Sequence, residues 1–263
     1  MEWEYAKAQV KKVPGISLVY QKLLSMILPI KKACRFYYEF SHYNKKLFQQ
    51  NGNKLRWSER HPCLNDWTST TGFDSHYIYH PAWAARILAV QKPEKHIDIS
   101  SSLAFISIVS AFIPVDFYDY RQAILQLGNL QSKKGDLLNL PFEDKTVHSL
   151  SCMHVVEHIG LGRYGDMIDP CGDLKAISEL KRVLAVNGDL LFVVPIGKPK
   201  TMFNAHRIYS YDQIIEVFSE FELKEFSLVP DLHIKYGFIR NATKEMANQQ
   251  NYGCGCFWFR RKN

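Results

Sequence analysis

The sequence predicts an α/β fold, a mostly parallel sheet with helices on both faces, preceded by a helical N-terminal extension. Three observations predict it. After Lys92-Pro93-Glu94-Lys95, short apolar runs alternate with helical patterns, as strands joined by crossover helices do. The first of those runs stops in small residues directly before a helix, where α/β proteins bind phosphates and cofactors. Before residue 92 the apolar positions recur at helical spacing instead.

Residues 1 to about 60 read as helices, with Leu18, Leu23, Leu24, Ile27 and Ile30 at helical spacing and basic residues between them. Trp57 to Tyr79 turns polar and aromatic and reads as an irregular segment. A helix resumes at about Pro81 and runs to Val90. Strands follow near 96–100, 114–119, 148–153 and 189–195, with helices at about 103–112, 173–184 and 211–219. Two final strands, about 221–229 and 255–261, flank a long polar stretch. The organisation expected is an extension over 1–80 and a sheet domain over 81–263.

With 263 residues, 46% hydrophobic and 22% charged, the chain can bury one sizeable core, and nothing in these values suggests disorder or a fibre. Six scattered cysteines do not make a disulfide framework, so a reducing, cytoplasmic setting is expected. Cys254-Gly-Cys256 lacks a second pair at ligand spacing and reads as small residues in a strand. Asp166, Asp169 and Asp173 read as solvated loop acids, and no metal is expected. The apolar run Ile16 to Ile30 is broken by Gln21, Lys22 and Pro29 and is too short to span a bilayer. Nor does the N-terminus carry a cleavable signal pattern. Of the net charge of +7, much lies early: residues 1–60 hold twelve Lys or Arg against four Asp or Glu. Such a basic segment suits either an anionic membrane surface, as a peripheral contact, or plain solvation. No nucleic-acid motif accompanies it.

The first strand ends His96-Ile97-Asp98-Ile99-Ser100-Ser101-Ser102, and Asp119 closes Val115-Asp116-Phe117-Tyr118-Asp119. The offset from Asp98 to Asp119 is that of a ribose-binding acid, whose carboxylate accepts from both ribose hydroxyls. Alone, Asp98 could merely cap a helix and Asp119 merely solvate a strand end. Together with Ser100 and Ser102 they outline a Rossmann-like nucleotide site.

Gly135-Asp136-Leu137-Leu138-Asn139-Leu140-Pro141-Phe142-Glu143-Asp144, then Glu157-His158, then Glu179-Leu180-Lys181-Arg182-Val183-Leu184, resembles class I S-adenosylmethionine-dependent methyltransferases over residues 95 to 197. The resemblance implies a seven-stranded Rossmann-like sheet, S-adenosylmethionine as cofactor, and contact of adenine with Asp136 and Leu137. His154-Val155-Val156-Glu157-His158-Ile159-Gly160, with Phe73-Asp74-Ser75-His76-Tyr77-Ile78-Tyr79-His80 and Phe203-Asn204-Ala205-His206-Arg207, is similar to a subgroup of unknown function found in nematodes and near bacterial surface-polysaccharide genes. That similarity extends over roughly residues 70 to 230. Ser100 and Ser102 stand where the family places glycines, Val186-Asn187-Gly188 where it places Pro-Gly-Gly, and His148 and Ser149 replace a family acid. A Cβ in the first loop crowds the methionine part of the cofactor.

Ligands of such sheets bind at the carboxyl ends of the strands. There His154, Glu157 and His158 follow the fourth strand. Methyl transfer to a hydroxyl needs alignment and a base, and His154 is the first candidate, whereas His158 reads better as a packing or capping residue. Arg163, Tyr164, His206 and Arg207 are candidate substrate contacts. Tyr79 and His80, with Tyr77 and Trp83, are candidates for an aromatic wall, although Trp83 reads better as packing. The function expected is methylation of a hydroxyl on a small-molecule or glycan substrate, a sugar or surface-polysaccharide precursor. The alternatives are a catalytically silent member of the fold that binds a nucleotide or protein partner, and a membrane-surface protein.

Overall fold

The computed structural model describes residues 14–262, with side chains from residue 27 onward. Expectations about residues 1–13, and about the side chains of Leu18, Leu23 and Leu24, fall outside the described residues. The chain divides into two compact units, one up to Gly72 and one from Phe73.

The first unit is built on one helix, α1 (Pro14–Asn51), which contains Pro29. The segment after it folds back on the helix. Trp57 packs edge-on against Phe40 and Tyr37, with ring centroids 5.1 and 5.7 Å apart. Lys32 donates to Asn65 (2.7 Å), and the Arg35 guanidinium lies 3.8 Å above the Trp67 ring. Among the described residues no helix is long and apolar enough to cross a membrane.

The second unit is the predicted α/β sheet. Its elements are α2 (Ser75–Gln91), β1 (His96–Ile99), α3 (Leu103–Val109), β2 (Val115–Asp119), β3 (Leu130–Lys134), β4 (Val147–Met153), α4 (Gly172–Val183), β5 (Leu184–Ile196), β6 (Lys200–Met202), β7 (His206–Ile208), α5 (Tyr211–Val217), β8 (Phe221–Val229), α6 (His233–Tyr236), α7 (Lys244–Asn248) and β9 (Gly253–Arg261). Seven strands form one sheet in the order β3-β2-β1-β4-β5-β9-β8, and β6 and β7 pair separately. From β3 to β5 every pairing is parallel; β9 runs antiparallel between β5 and β8. This is the Rossmann-like arrangement expected.

The strands are apolar because both faces of the sheet are covered. On one face Ile177, Leu180, Ile214 and Phe218 pack from α4 and α5. On the other, Trp83, Leu88, Phe105 and Ile106 pack from α2 and α3. β3 (Leu-Gln-Ser-Lys-Lys) escapes the apolar pattern because it is the sheet edge and only Leu130 of its five residues is buried. The apolar pattern marks no strand there, and only the methyltransferase resemblance, which sets a third strand before the Asp136-Leu137 pair, implies one.

Three other boundaries differ from expectation. The helix placed from Pro81 begins at Ser75, because Asp74 caps it by accepting from the Tyr77 amide (3.3 Å) and Pro81 is accommodated inside. The helix expected over 103–112 ends at Val109. The polar stretch after β8 holds the short helices α6 and α7. Since β1 lies between β2 and β4, the chain reverses its direction of sheet growth at β1, and the crevice outside the carboxyl ends of β1 and β4 is the binding position of such sheets.

Candidate functional site

At the end of β1 the Asp98 carboxylate is fully buried. It accepts from the Ser101 amide (3.0 Å) and from the Ser151 hydroxyl of β4. Burial, opposed by those hydrogen bonds, pushes its pKa up to about 6. The loop it holds is bound on all sides. Ser100 sits in the left-handed region (φ +54°), where the resemblance expects glycine, and its hydroxyl turns back onto the Tyr118 carbonyl (3.2 Å). The Ser101 hydroxyl accepts from the Met153 amide (3.1 Å), and the Ser102 hydroxyl caps α3 by accepting from Phe105 (3.2 Å). Thus all three serine hydroxyls are engaged with the protein backbone. Asp119 ends β2 and Asp136 lies just beyond β3, each accepting from a backbone amide two residues on. Beside them Leu137 is buried and Gly135 lies against Tyr118, where a Cβ would approach ring and Cβ atoms to 3.0 Å. The six residues assigned to the cofactor therefore lie along the carboxyl ends of three adjacent strands.

Next to them a cavity of about 610 Å³ opens among the start of α2, the loop after β4 and the segment before β9. Its wall is dense in histidine. His154, the first residue after β4, is buried in the left-handed region (φ +58°), a backbone state that a bulky residue holds only when its surroundings enforce it. Its amide donates to the Val193 carbonyl (2.8 Å), and its Nδ1 bonds the Glu157 carboxylate (2.8 Å). His76 stacks on the ring of His154 with centroids 5.3 Å apart, and Tyr77 lies 5.6 Å away. Burial disfavours the charged form of His154, but the Cys254 sulfur and the Glu157 carboxylate outweigh it and push the pKa up to about 10. Burial and the neighbouring His154 lower His76 to about 4. Burial also lowers His158 and His206.

The other assigned residues divide between this cavity and other places. His158 donates from Nδ1 to the Ala205 carbonyl (2.6 Å), which leaves Nε2 as its acceptor nitrogen. Arg163 reaches the same carbonyl (3.2 Å), and Tyr164 stands edge-on to His158 with centroids 5.8 Å apart. His206 faces Tyr252 at 4.9 Å. The Arg121 guanidinium lies 4.6 Å over the Tyr164 ring, joining the loop after Asp119 to the cavity loop. His80 is fully buried beneath His154, its Nδ1 bonded to the His76 carbonyl (2.7 Å), and it does not line the cavity. Tyr79 stacks on Phe238 in a separate groove. Trp83 is buried and donates to Glu225 (2.9 Å), as a packing residue does.

Arg207 is also placed elsewhere: its buried guanidinium donates to the Ile159 (2.7 Å) and Pro170 (3.2 Å) carbonyls and faces Asp173. The loop acids are spent in the fold as well. Asp166 accepts from the Gly160 and Tyr164 amides, Asp169 pairs with Lys175, and Asp173 accepts from Tyr209. A cavity of about 670 Å³ beside Arg207 is larger than the histidine cavity, but its two buried charges, Arg207 and Asp173, already face each other. Buried polar atoms without a hydrogen-bond partner occur on the histidine wall instead: Nε2 of His154, Oε2 of Glu157 and Nε2 of His206. Convergent groups of that kind mark a ligand site.

Sequence reasoning missed Cys254 as a neighbour of His154, and Tyr252 and Asp231 as residues of the same cavity. The spacing of His76 and His80, four apart on one helix face, was the available signal for the first wall.

Comparison with known proteins gives sequence and structural matches. Residues 142–252 match the family described as a Caenorhabditis protein of unknown function, DUF268. That is the nematode subgroup to which the motifs point. An uncharacterised protein of Methanocaldococcus jannaschii is 27% identical over 132 residues, covering 48% of this chain and 51% of its own length. The chain thus spans about half the length of the curated relative it matches. Among solved structures, the 1,6-didemethyltoxoflavin-N1-methyltransferase of Burkholderia thailandensis, with bound 1,6-didemethyltoxoflavin and S-adenosylhomocysteine, is 10% identical with a TM-score of 0.49 over 70% of this chain and 79% of its own. The YcgJ protein of Bacillus subtilis is 13% identical with a TM-score of 0.49 over 70% and 99%. The [4+2]-cyclase SpnF is 12% identical with a TM-score of 0.47 over 74% and 85%.

Proposed function

We propose that this chain is an S-adenosylmethionine-dependent methyltransferase that methylates a hydroxyl of a sugar or surface-polysaccharide precursor in the cytoplasm. One observation carries the reading: Asp98, Asp119 and Asp136 end three adjacent parallel strands beside a cavity walled by His154, Glu157 and His158. For the cofactor, the support is Asp119 at the carboxyl end of β2, where such sheets carry their ribose-binding acid, and the Asp136-Leu137 pair, with Leu137 buried, for adenine. S-adenosylmethionine, when bound, supplies an electrophilic methyl group on a positively charged sulfur.

The protein's own part is to align the acceptor oxygen and take its proton. His158 suits the second task better than His154. Burial lowers it below the ordinary imidazole value, so it is neutral near pH 7, and with Nδ1 bonded to Ala205 its Nε2 is the nitrogen left to take a proton, 3.7 Å from a Glu157 oxygen that favours the charge so formed. His154 is tied through Nδ1 to Glu157. The acceptor side is supplied with Arg163, Tyr164, His206 and Tyr252, a polar and aromatic set of the kind that binds sugars.

A second reading has its own observation. Ser100 brings a side chain into a left-handed loop position where glycine is expected, which favours a silent member of the fold that binds a nucleotide or protein partner. Calorimetric titration with S-adenosylmethionine and S-adenosylhomocysteine separates the two. Saturable binding that is lost in Asp119→Ala is expected. Equal binding in the mutant, or none at millimolar ligand, would sink the methyltransferase reading.

A further inference from the structure

We propose that His76, His154 and Cys254 form a binding site for a borderline-soft divalent metal ion of the zinc class, with its fourth position open to the histidine-lined cavity. One ring nitrogen of each histidine and the Cys254 sulfur all lie within 4.8 Å of one another. The three come from the start of α2, the residue after β4 and the second residue of β9, so that three elements fixed by the core hold the set. Two imidazoles and a thiolate are the donors that zinc and its neighbours prefer over magnesium or calcium, and three protein ligands leave a position for water or substrate.

Independent observations point the same way. The Nε2 atom of His154 is buried without a hydrogen-bond partner, and His154 is only 8% exposed. Its other nitrogen bonds the Glu157 carboxylate at 2.8 Å. That carboxylate–histidine pair is the outer support that metal-bound imidazoles have in nearly every such site, because it fixes the tautomer and turns the free lone pair toward the ion. The left-handed backbone of His154 holds the ring in that orientation. Charge also balances: on binding, Cys254 gives up its thiol proton and His154 the proton that its raised pKa keeps on Nε2, both to solvent, and the thiolate with the Glu157 carboxylate then offsets the two positive charges of the ion. Asp74 and Asp231 line the same cavity and add negative potential at its mouth.

The binding itself stands on this geometry alone. Its use in catalysis rests on the methyl-transfer reading, in which an acceptor hydroxyl at the open position would lose its proton more readily to His158.

Cobalt(II) and zinc(II) titrations of the metal-stripped full chain test the inference. A single equivalent of cobalt is expected, with a thiolate-to-cobalt charge-transfer band and the intense visible bands of tetrahedral cobalt, both displaced by zinc. Cys254→Ser should remove the charge-transfer band. His76→Gln, at a half-buried position at the start of α2, should weaken binding about 10-fold or more, and Glu157→Gln about 10- to 100-fold. Circular dichroism of each variant confirms that it is folded. No charge-transfer band, or the same band in folded His76→Gln and Cys254→Ser, overturns the site. S-adenosylhomocysteine binding in the same samples keeps the two proposals apart: cofactor binding without metal sinks only the metal site, and metal binding without cofactor sinks only the methyltransferase.

Discussion

At the scale of single residues, the centre of the sheet holds a polar chain that a hydrophobic core does not need. His96 bonds the Ser149 hydroxyl through Nδ1 and the Ser151 hydroxyl through Nε2, both at 2.8 Å, and Ser151 donates on to Asp98. Burial pulls His96 down to about 3 and pushes Asp98 up to about 6. The two oppose each other in acid. Below its ordinary 6.5, His96 binds a proton in the unfolded chain but not in the folded one, so its contribution to stability falls as pH falls. Between 3.8 and about 6, Asp98 binds a proton in the folded chain but not in the unfolded one, so its contribution rises as pH falls. Asp98→Asn removes the second effect and exposes the first. Urea denaturation across that range should show the variant losing up to about 1.4 kcal/mol per pH unit more than the parent chain. Parallel pH profiles would show that the pair does not titrate as argued.

At the scale of elements, the loop between β4 and α4 is held from outside itself. Gly160, Gly162 and Gly165 all have positive φ, as the permissive loop expected from the sequence requires, and Gly160 leaves no room for a Cβ against the Asp169 carbonyl. Arg207 of β7 then ties the two ends of the loop together through Ile159 and Pro170, with Asp173 of α4 beside it. An arginine after the fifth strand reads from sequence as a substrate contact, since nothing local shows which carbonyls will surround it. Arg207→Ala leaves those carbonyls and the Asp173 carboxylate buried, and should cost about 3–5 kcal/mol in urea denaturation. Cofactor affinity measured below the transition should stay at the parent value. Unchanged stability with weakened acceptor binding would return Arg207 to the substrate.

At the scale of the whole molecule, two compact units carry different surface chemistry. The basic excess of residues 1–60 accompanies exposed Tyr37, Tyr38, Tyr43 and Phe48 on α1, a combination suited to the face of an anionic membrane. Sedimentation with vesicles containing phosphatidylserine should pull down the full chain and release it in high salt. The same chain lacking residues 1–60 should stay in solution; if it sediments equally, the basic segment is a solvated face and no more.

What the sequence determined by itself was local and periodic. The alternation after Lys92, the small residues after His96-Ile97-Asp98-Ile99 and the offset to Asp119 marked parallel strands and their carboxyl ends, because strands covered on both faces must be apolar and the loops after them need not be. It also brought His154, Glu157, His158, Arg163, Tyr164 and His206 to one rim, since all follow β4 or β5. The edge strand β3 was illegible because an edge need not be apolar. Only the tertiary structure decided that His80, Tyr79 and Arg207 turn away from the cavity while Tyr252 lines it and Cys254 lies beside His154 and His76. Those positions depend on how β9, late in the chain, inserts antiparallel between β5 and β8 and carries Cys254 to His154 and His76. No sequence window spans such a contact, because what sets it is the order of strands in the sheet.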